Sequence, residues 1–227
     1  NILIPRSNFT CVSLIKFHSH KILSSGATLK SNTWNAKNSK SQGVIFNILA
    51  KSFPVIDDTQ GGLMQKEILD TKNIGDSVGG TIECAVTGIE AGIGEPMFDG
   101  VEGVIAKAVF AIPAVKGVEF GAGFEAAKMR GSQNNDPFRL ENGRVVTETN
   151  NCGGILGGIT DGMPVVFRAA IKPTPSIAQK QKTVDLQSRE NTELEIKGRH
   201  DPCIAVRAVP VFEAVTAIAV YDMLSDK

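Results

Sequence analysis

From Asn1 to Ile56 the chain has no aspartate and no glutamate, yet it carries Arg6, Lys16, Lys21, Lys30, Lys37, Lys40 and Lys51 there. Over the whole chain 24 basic residues balance 24 acidic ones, so the remainder is net acidic. A neutral total excludes bulk attraction to nucleic acid or to an anionic membrane surface. No apolar run reaches the roughly 20 residues that a membrane-crossing helix needs. The four cysteines, Cys11, Cys84, Cys152 and Cys203, are far apart and form no CxxC pair. That argues against a zinc site and against a disulfide framework, and favours reduced thiols in a cytoplasmic protein. Aromatic residues are scarce at 6%, with Trp34 the single tryptophan.

What is present is a globular composition: 227 residues, 42% hydrophobic and 21% charged. That length buries a core of useful size. Glycine is abundant, with 23 residues, and its doublets suggest backbone that comes close to a ligand or a neighbouring chain. Residues 24–43 are rich in Ser, Asn and Lys, which reads as loop or disorder. A Ser-rich start without acids is also a feature of organellar transit peptides, the lesser reading. The pattern changes near Phe53, giving two parts: an atypical basic segment, 1–53, and a folded domain, 54–227.

Within 54–227, Leu63, Met64, Glu67, Ile68 and Leu69 fit one face of a helix ended near Gly75. Residues 81–87 read as a strand. Val101, Val104, Ile105, Ala108, Val109 and Ile112 recur at helical spacing up to Pro113. Residues 115–120, 145–149, 164–171 and 193–197 are further strands. Residues 207–224 form a last helix, with Pro210 expected in its first turn. Hairpin-linked strands outnumber helices, so the class is α+β rather than doubly wound α/β.

Several motifs bear on chemistry. Gly121-Ala122-Gly123-Phe124-Glu125-Ala126 fits the loose dinucleotide fingerprint, but Asp136-Pro137 breaks the chain before a full helix. Gly153-Gly154-Ile155-Leu156-Gly157-Gly158 is loop-like, yet Ile159 stands where a phosphate loop needs lysine. For these glycines, tight strand crossing is the competing reading. Lys172, Pro173, Thr174, Pro175 and Ser176 form a stiff extended run. Its lysine and hydroxyls suit a phosphate or a polar ring edge, or else a polar edge loop. In Gly198-Arg199-His200-Asp201-Pro202-Cys203, Pro202 forbids helix and holds four chemically distinct side chains on a turn. Arg199 is either a phosphate clamp or an ion-pair partner of Glu193 or Glu195. Asp201 is either a general base or a turn cap. His200 is more ordinarily packed, and Cys203 buried. His18 and His20 have no arguable partners.

These blocks resemble chorismate synthase in order and spacing. They are Gly75-Asp76-Ser77-Val78-Gly79-Gly80 through Glu83-Cys84, Gly94-Glu95-Pro96-Met97-Phe98-Asp99, and Ile112-Pro113-Ala114-Val115-Lys116-Gly117-Val118-Glu119-Phe120-Gly121. Gly131-Ser132-Gln133-Asn134, the 153–159 run, Lys172 to Ile177 and Gly198 to Cys203 with Arg207-Ala208-Val209-Pro210 follow. Coverage runs from about residue 54 to the end. The resemblance implies a sandwich of antiparallel sheets and helices, incomplete at the N-terminus, usually assembled as a homotetramer. It implies conversion of 5-enolpyruvylshikimate 3-phosphate to chorismate by a 1,4-anti elimination, in the shikimate pathway to the aromatic amino acids. Reduced FMN is required without net redox change. Its reduction comes from an external reductase or from an intrinsic NADPH-dependent activity. By motif, Gln133, Asn134, Gly157, Lys172, Pro173, Thr174, Pro175, Ser176 and Arg199 would contact FMN, and Asp201 would assist proton transfer at the flavin. Pro175 replaces the serine of many relatives. The implied partners are a small-molecule substrate and further copies of the chain, with no nucleic acid, membrane or metal.

The family's N-terminal motifs are missing from 1–52: Glu-Ser-His-Gly, a second active-site histidine and an Arg-rich segment. Ser19-His20 lacks the flanking Glu and Gly. Two expectations follow. The chain is a flavin-dependent lyase, or it is an inactive truncated remnant that at most binds FMN or oligomerises. A nicotinamide-binding Rossmann oxidoreductase is a distant third.

Overall fold

The computed structural model describes residues 10–16, 53 and 55–225. The predicted loop 24–43, Trp34, His18 and His20 lie outside the described residues. A four-stranded antiparallel sheet organises the rest, in the order β1-β2-β8-β3. Its strands are β1 (Thr10–Lys16), β2 (Gly80–Thr87), β8 (Val165–Ile171) and β3 (Val115–Phe120). β1, placed by sequence in the basic segment, pairs with β2 from Thr10↔Thr87 to Lys16↔Thr81. Among the described residues, three two-stranded hairpins complete the β content: β4 (Phe138–Glu141) with β5 (Arg144–Thr147), β6 (Ile155–Leu156) with β7 (Ile159–Thr160), and β9 (Gln181–Asp185) with β10 (Glu190–Leu194).

β8 shows why the sheet forms. Val165, Phe167, Ala169 and Ile171 alternate with less buried Val166, Arg168 and Ala170, the period-two pattern of a strand with one apolar face. β2 is central, and Ile82 to Val86 are all buried. Glu83, Arg168 and Glu119 stand opposite one another across three strands. Arg168 Nε lies 3.0 Å from Glu119 Oε1, so the charge row crosses the sheet with its cation in the middle.

Helix α1 (Asp58–Asn73) starts where Asp57 Oδ1 accepts the N–H of Thr59 at 2.8 Å and of Gln60 at 3.2 Å, an N-cap. It stops before Gly75, whose φ of +71° leaves the helical region. Helix α2 (Val101–Phe110) buries Val101, Ile105 and Val109. Helix α4 (Ala205–Ser225) buries Ala205, Val209, Phe212, Thr216, Ala219 and Val220. Both helices pack against the sheet and each other, forming one core with Ile82, Cys84, Val86 and Phe167. A short helix, α3 (Gly131–Asn134), precedes β4.

The α+β expectation holds, and three local readings are corrected. The last helix begins at Ala205, so Pro210 lies inside it rather than in its first turn. There its missing N–H leaves one helical carbonyl without its usual partner. The strand expected over 193–197 is Glu190–Leu194, because it is set by pairing with β9, not by its own apolar residues. Finally, α4 is long and apolar enough to cross a membrane by length and composition, contrary to the reading of apolar runs. Arg207, Glu213 and Asp222 interrupt it, and its buried face packs on the sheet.

Candidate functional site

Most of the motif residues gather at two places, one at each end of β8. Past its last residue, Ile171, the chain runs into 172–176. Lys172 N donates to Ala114 O at 2.9 Å. Ala114 itself has φ of +73°, a strained setting for a residue with a Cβ. The 75–79 loop then fastens two site segments together. Ser77 Oγ donates to Thr174 O at 2.6 Å, Ala178 N to Gly75 O at 2.9 Å, and Val78 N to Pro202 O at 2.8 Å. Gly79 permits this approach: a Cβ there would stand 2.5 Å from Ile171 O and 3.1 Å from Pro173 Cδ.

Asp201 therefore sits on a turn braced from outside. Its Oδ1 accepts the Cys203 N–H at 3.0 Å, and its Oδ2 lies 2.6 Å from Arg207 Nε. It acts as a turn cap whose second oxygen is held by a cation. His200 Nε2 is 2.9 Å from Ile196 O, the packed role. Cys203 is buried, and burial raises its thiol pKa above the ordinary range. Arg199 is exposed and has no ion pair among the described residues. Glu193, one of its expected partners, faces Lys180 at 3.7 Å.

The second gathering lies where β8 begins. Asp136 is its hub: Oδ1 accepts from Thr149 Oγ1 at 2.6 Å and Asn151 N at 2.7 Å, and Oδ2 accepts from Cys152 N at 2.8 Å. Burial first, then the hydrogen bond and charge of Asp136, push the Cys152 thiol up to about 11. Asn151 Nδ2 donates to Gln133 O at 3.3 Å and Asn134 O at 3.1 Å. Gln133 Oε1 turns back to accept Arg130 N at 2.9 Å. Gly121 packs so closely on Asn151 O and Gly153 N that no side chain fits. Only a short 3₁₀ turn, Gly123–Lys128, follows, so the dinucleotide fingerprint fails and close backbone crossing explains the glycines. Gly157 and Gly158, with φ of +60° and +86°, form the tight turn between β6 and β7. Gly158 O accepts Val101 N at 2.9 Å.

A family model described as chorismate synthase matches residues 13–225. The chain belongs to the chorismate synthase family. A chorismate synthase of Dehalococcoides mccartyi is 52% identical over 188 residues, 83% of this chain and 52% of that protein. One of Methanosarcina barkeri is 47% identical over 201 residues, 88% of this chain and 55% of that protein. A solved structure described as "Crystal Structure of Chorismate Synthase" superposes with a TM-score of 0.74 at 27% identity, covering 96% of this chain and 57% of that one. The chain thus spans about half the length of the curated relatives it matches. The family match begins inside β1, well before residue 54, where the resemblance was expected to start.

Within this family framework, Lys172, Pro173, Thr174, Pro175, Ser176, Arg199 and Asp201 share the end of β8. Gln133 and Asn134 lie near its start, tied through Asn151 and the adjacent Asn150 to Pro164 O, whereas Gly157 lies apart, in the β6–β7 turn beside the start of α2. Seven strand residues separate the groups, about 20 Å at roughly 3.3 Å per residue. The reading of motifs missed Ser77, Gly79 and Arg207 as site-forming residues. Gly79 and Ser77 sit in a quoted block, but nothing local announces a partner 97 positions away. A groove of about 860 Å³ between α2 and α4, lined by Phe98, Lys107, Val215 and Ile218, includes none of the expected site residues.

Proposed function

We propose that this chain serves as a flavin-dependent carbon–oxygen lyase, forming chorismate and phosphate from 5-enolpyruvylshikimate 3-phosphate. Family membership carries the reading. Local support comes from the 75–79 loop, which fastens 172–176 beside the turn of Asp201.

The residues fit FMN. Thr174 Oγ1 and Asn134 Oδ1 are buried without a hydrogen-bond partner, and each belongs to a run read as flavin-contacting. An unpaired buried polar atom costs about 1–3 kcal/mol, which a polar ring edge would relieve. Lys172 and Arg199 are exposed and supply the positive charge a phosphate needs. Reduced FMN would supply electron density that assists loss of the substrate's phosphate. Asp201 presents a carboxylate, anchored on both oxygens, for proton transfer. Pro173 and Pro175 stiffen the backbone on either side of Thr174.

We read the assembly as a homotetramer in the cytoplasm. The two groups of residues lie about 20 Å apart along β8, farther than one flavin ring reaches. Two copies meeting end to start would bring them together. The free thiols of Cys84, Cys152 and Cys203 suit a reducing compartment.

A second reading, a chain that binds FMN without turnover, is favoured by one observation. His200, adjacent to Asp201 in the chain, has its Nε2 engaged by Ile196 O. Loss of an acid typically lowers rate about 10²–10⁴-fold. An anaerobic assay with chemically reduced FMN and 5-enolpyruvylshikimate 3-phosphate separates the readings. Chorismate that disappears in Asp201→Ala supports the lyase. FMN binding without chorismate supports the second reading, and a folded chain that binds no FMN sinks both.

A further inference from the structure

We infer that Arg207 is a positioning residue that fixes the carboxylate of Asp201. The inference rests on the reading of Asp201 as the proton-transfer group. Each oxygen of that carboxylate has one anchor: the Cys203 N–H on Oδ1 at 3.0 Å, and Arg207 Nε on Oδ2 at 2.6 Å. Terminal torsions of aspartate are broad, so one anchor leaves the group free to pivot, and two set both its distance and its plane.

The placement of Arg207 is otherwise disfavoured. The start of a helix carries partial positive charge and prefers acidic residues. The first turn of α4 contains none, yet holds this arginine. Asp201, just outside the helix, is what compensates it. Exposed Arg199, two residues before Asp201, makes no ion pair with it. His200 is committed to Ile196 O, Cys203 is buried with a raised pKa, and Asp76 Oδ1 accepts the N–H of Ser77 at 2.8 Å. The Arg207 side chain is 72% exposed. An exposed ion pair adds little to stability, so its contribution lies in orientation rather than in holding the fold together.

The ligand-free test is amide hydrogen exchange at Cys203, read by NMR on the full chain. Arg207→Gln lets the carboxylate pivot and weakens the Cys203 N–H bond. Exchange there should rise about fivefold, the factor for about 1 kcal/mol of hydrogen bond. The thermal midpoint should fall by no more than about 2–4 °C, the shift that about 1 kcal/mol gives in a chain of this size, and Arg207→Lys should restore part of the protection. The functional arm is a double-mutant cycle in the chorismate assay. Arg207→Gln should lower turnover in the parent chain but add no further loss in Asp201→Asn. Unchanged Cys203 exchange in Arg207→Gln overturns the inference. So does a turnover loss that persists in full when Asp201 is already asparagine. If the parent chain makes no chorismate, the reading of Asp201 fails, while the exchange arm still decides what Arg207 does.

Discussion

Replacing Gly79 by alanine tests whether the site depends on the close approach of two backbones. The new Cβ would stand 2.5 Å from Ile171 O, 3.1 Å from Pro173 Cδ and 3.3 Å from Pro173 N. Carbon–oxygen contacts settle at about 3.3 Å or beyond, so relief needs about 0.8 Å of movement. Ile171 is paired with Gly80 in the sheet and cannot swing aside as a side-chain tip could. Overpacking of this kind costs about 1–3 kcal/mol. Loss of the Ser77 Oγ to Thr174 O bond adds about 1 kcal/mol. We expect Gly79→Ala to lose about 2–4 kcal/mol in urea unfolding and, on the proposed flavin reading, to weaken FMN binding, because it displaces Pro173 in the 172–176 run. Gly62→Ala is the control: in the second turn of α1, its methyl would meet nothing within 4 Å, and it should gain about 0.5–1 kcal/mol. If the two variants change stability alike, the steric argument is wrong.

Three further outcomes are expected. Phe167→Ala removes a fully buried ring that touches Phe120 at 5.7 Å between centroids, and should cost about 3–5 kcal/mol by denaturant unfolding; a loss under about 1 kcal/mol would contradict its place in the core. Ala114→Gly relieves a residue at φ +73° and should raise stability by roughly 1 kcal/mol, read as a higher thermal midpoint; a lower one counts against strain at this position. With a thiol pKa of about 11, Cys152 should label slowly with a disulfide reagent at pH 8. Asp136→Asn should speed labelling only in part, since burial is the larger cause, and an unchanged rate would contradict the role given to Asp136. The sign for stability follows: the unfolded thiol ionises first, so the fold loses stability as pH rises from about 9 to 11, which unfolding curves across that range would show.

The helices and the sheet strands with apolar alternation were legible because their signals are local. Leu63 to Leu69 before Gly75, the spacing from Val101 to Ile112, and 115–120 all reappear as elements. β4 and β9 were overlooked. They belong to exposed hairpins whose residues obey pairing rather than burial: Phe138 and Leu140 are both exposed. The Asn142-Gly143 turn, with φ of +52° and +76°, was the signal that marks the first of them. The motif residues were readable as a set, but not their division between the two ends of β8, which is a matter of topology. Arg207 stood in a block of the family resemblance, but its pairing with Asp201 was not legible, because it is set by how the chain enters the helix.

The order β1-β2-β8-β3 also sets when the site comes into being during folding. β2 finds β8 only after a long stretch of chain has closed, and Ser77 reaches Thr174 across 97 positions. Such long-range closures are entropically slow to form and give a high contact order. The site is therefore among the last features to assemble. A chain that has made its helices and hairpins, but not this closure, would bind nothing there. Flavin binding would accordingly report the completion of folding.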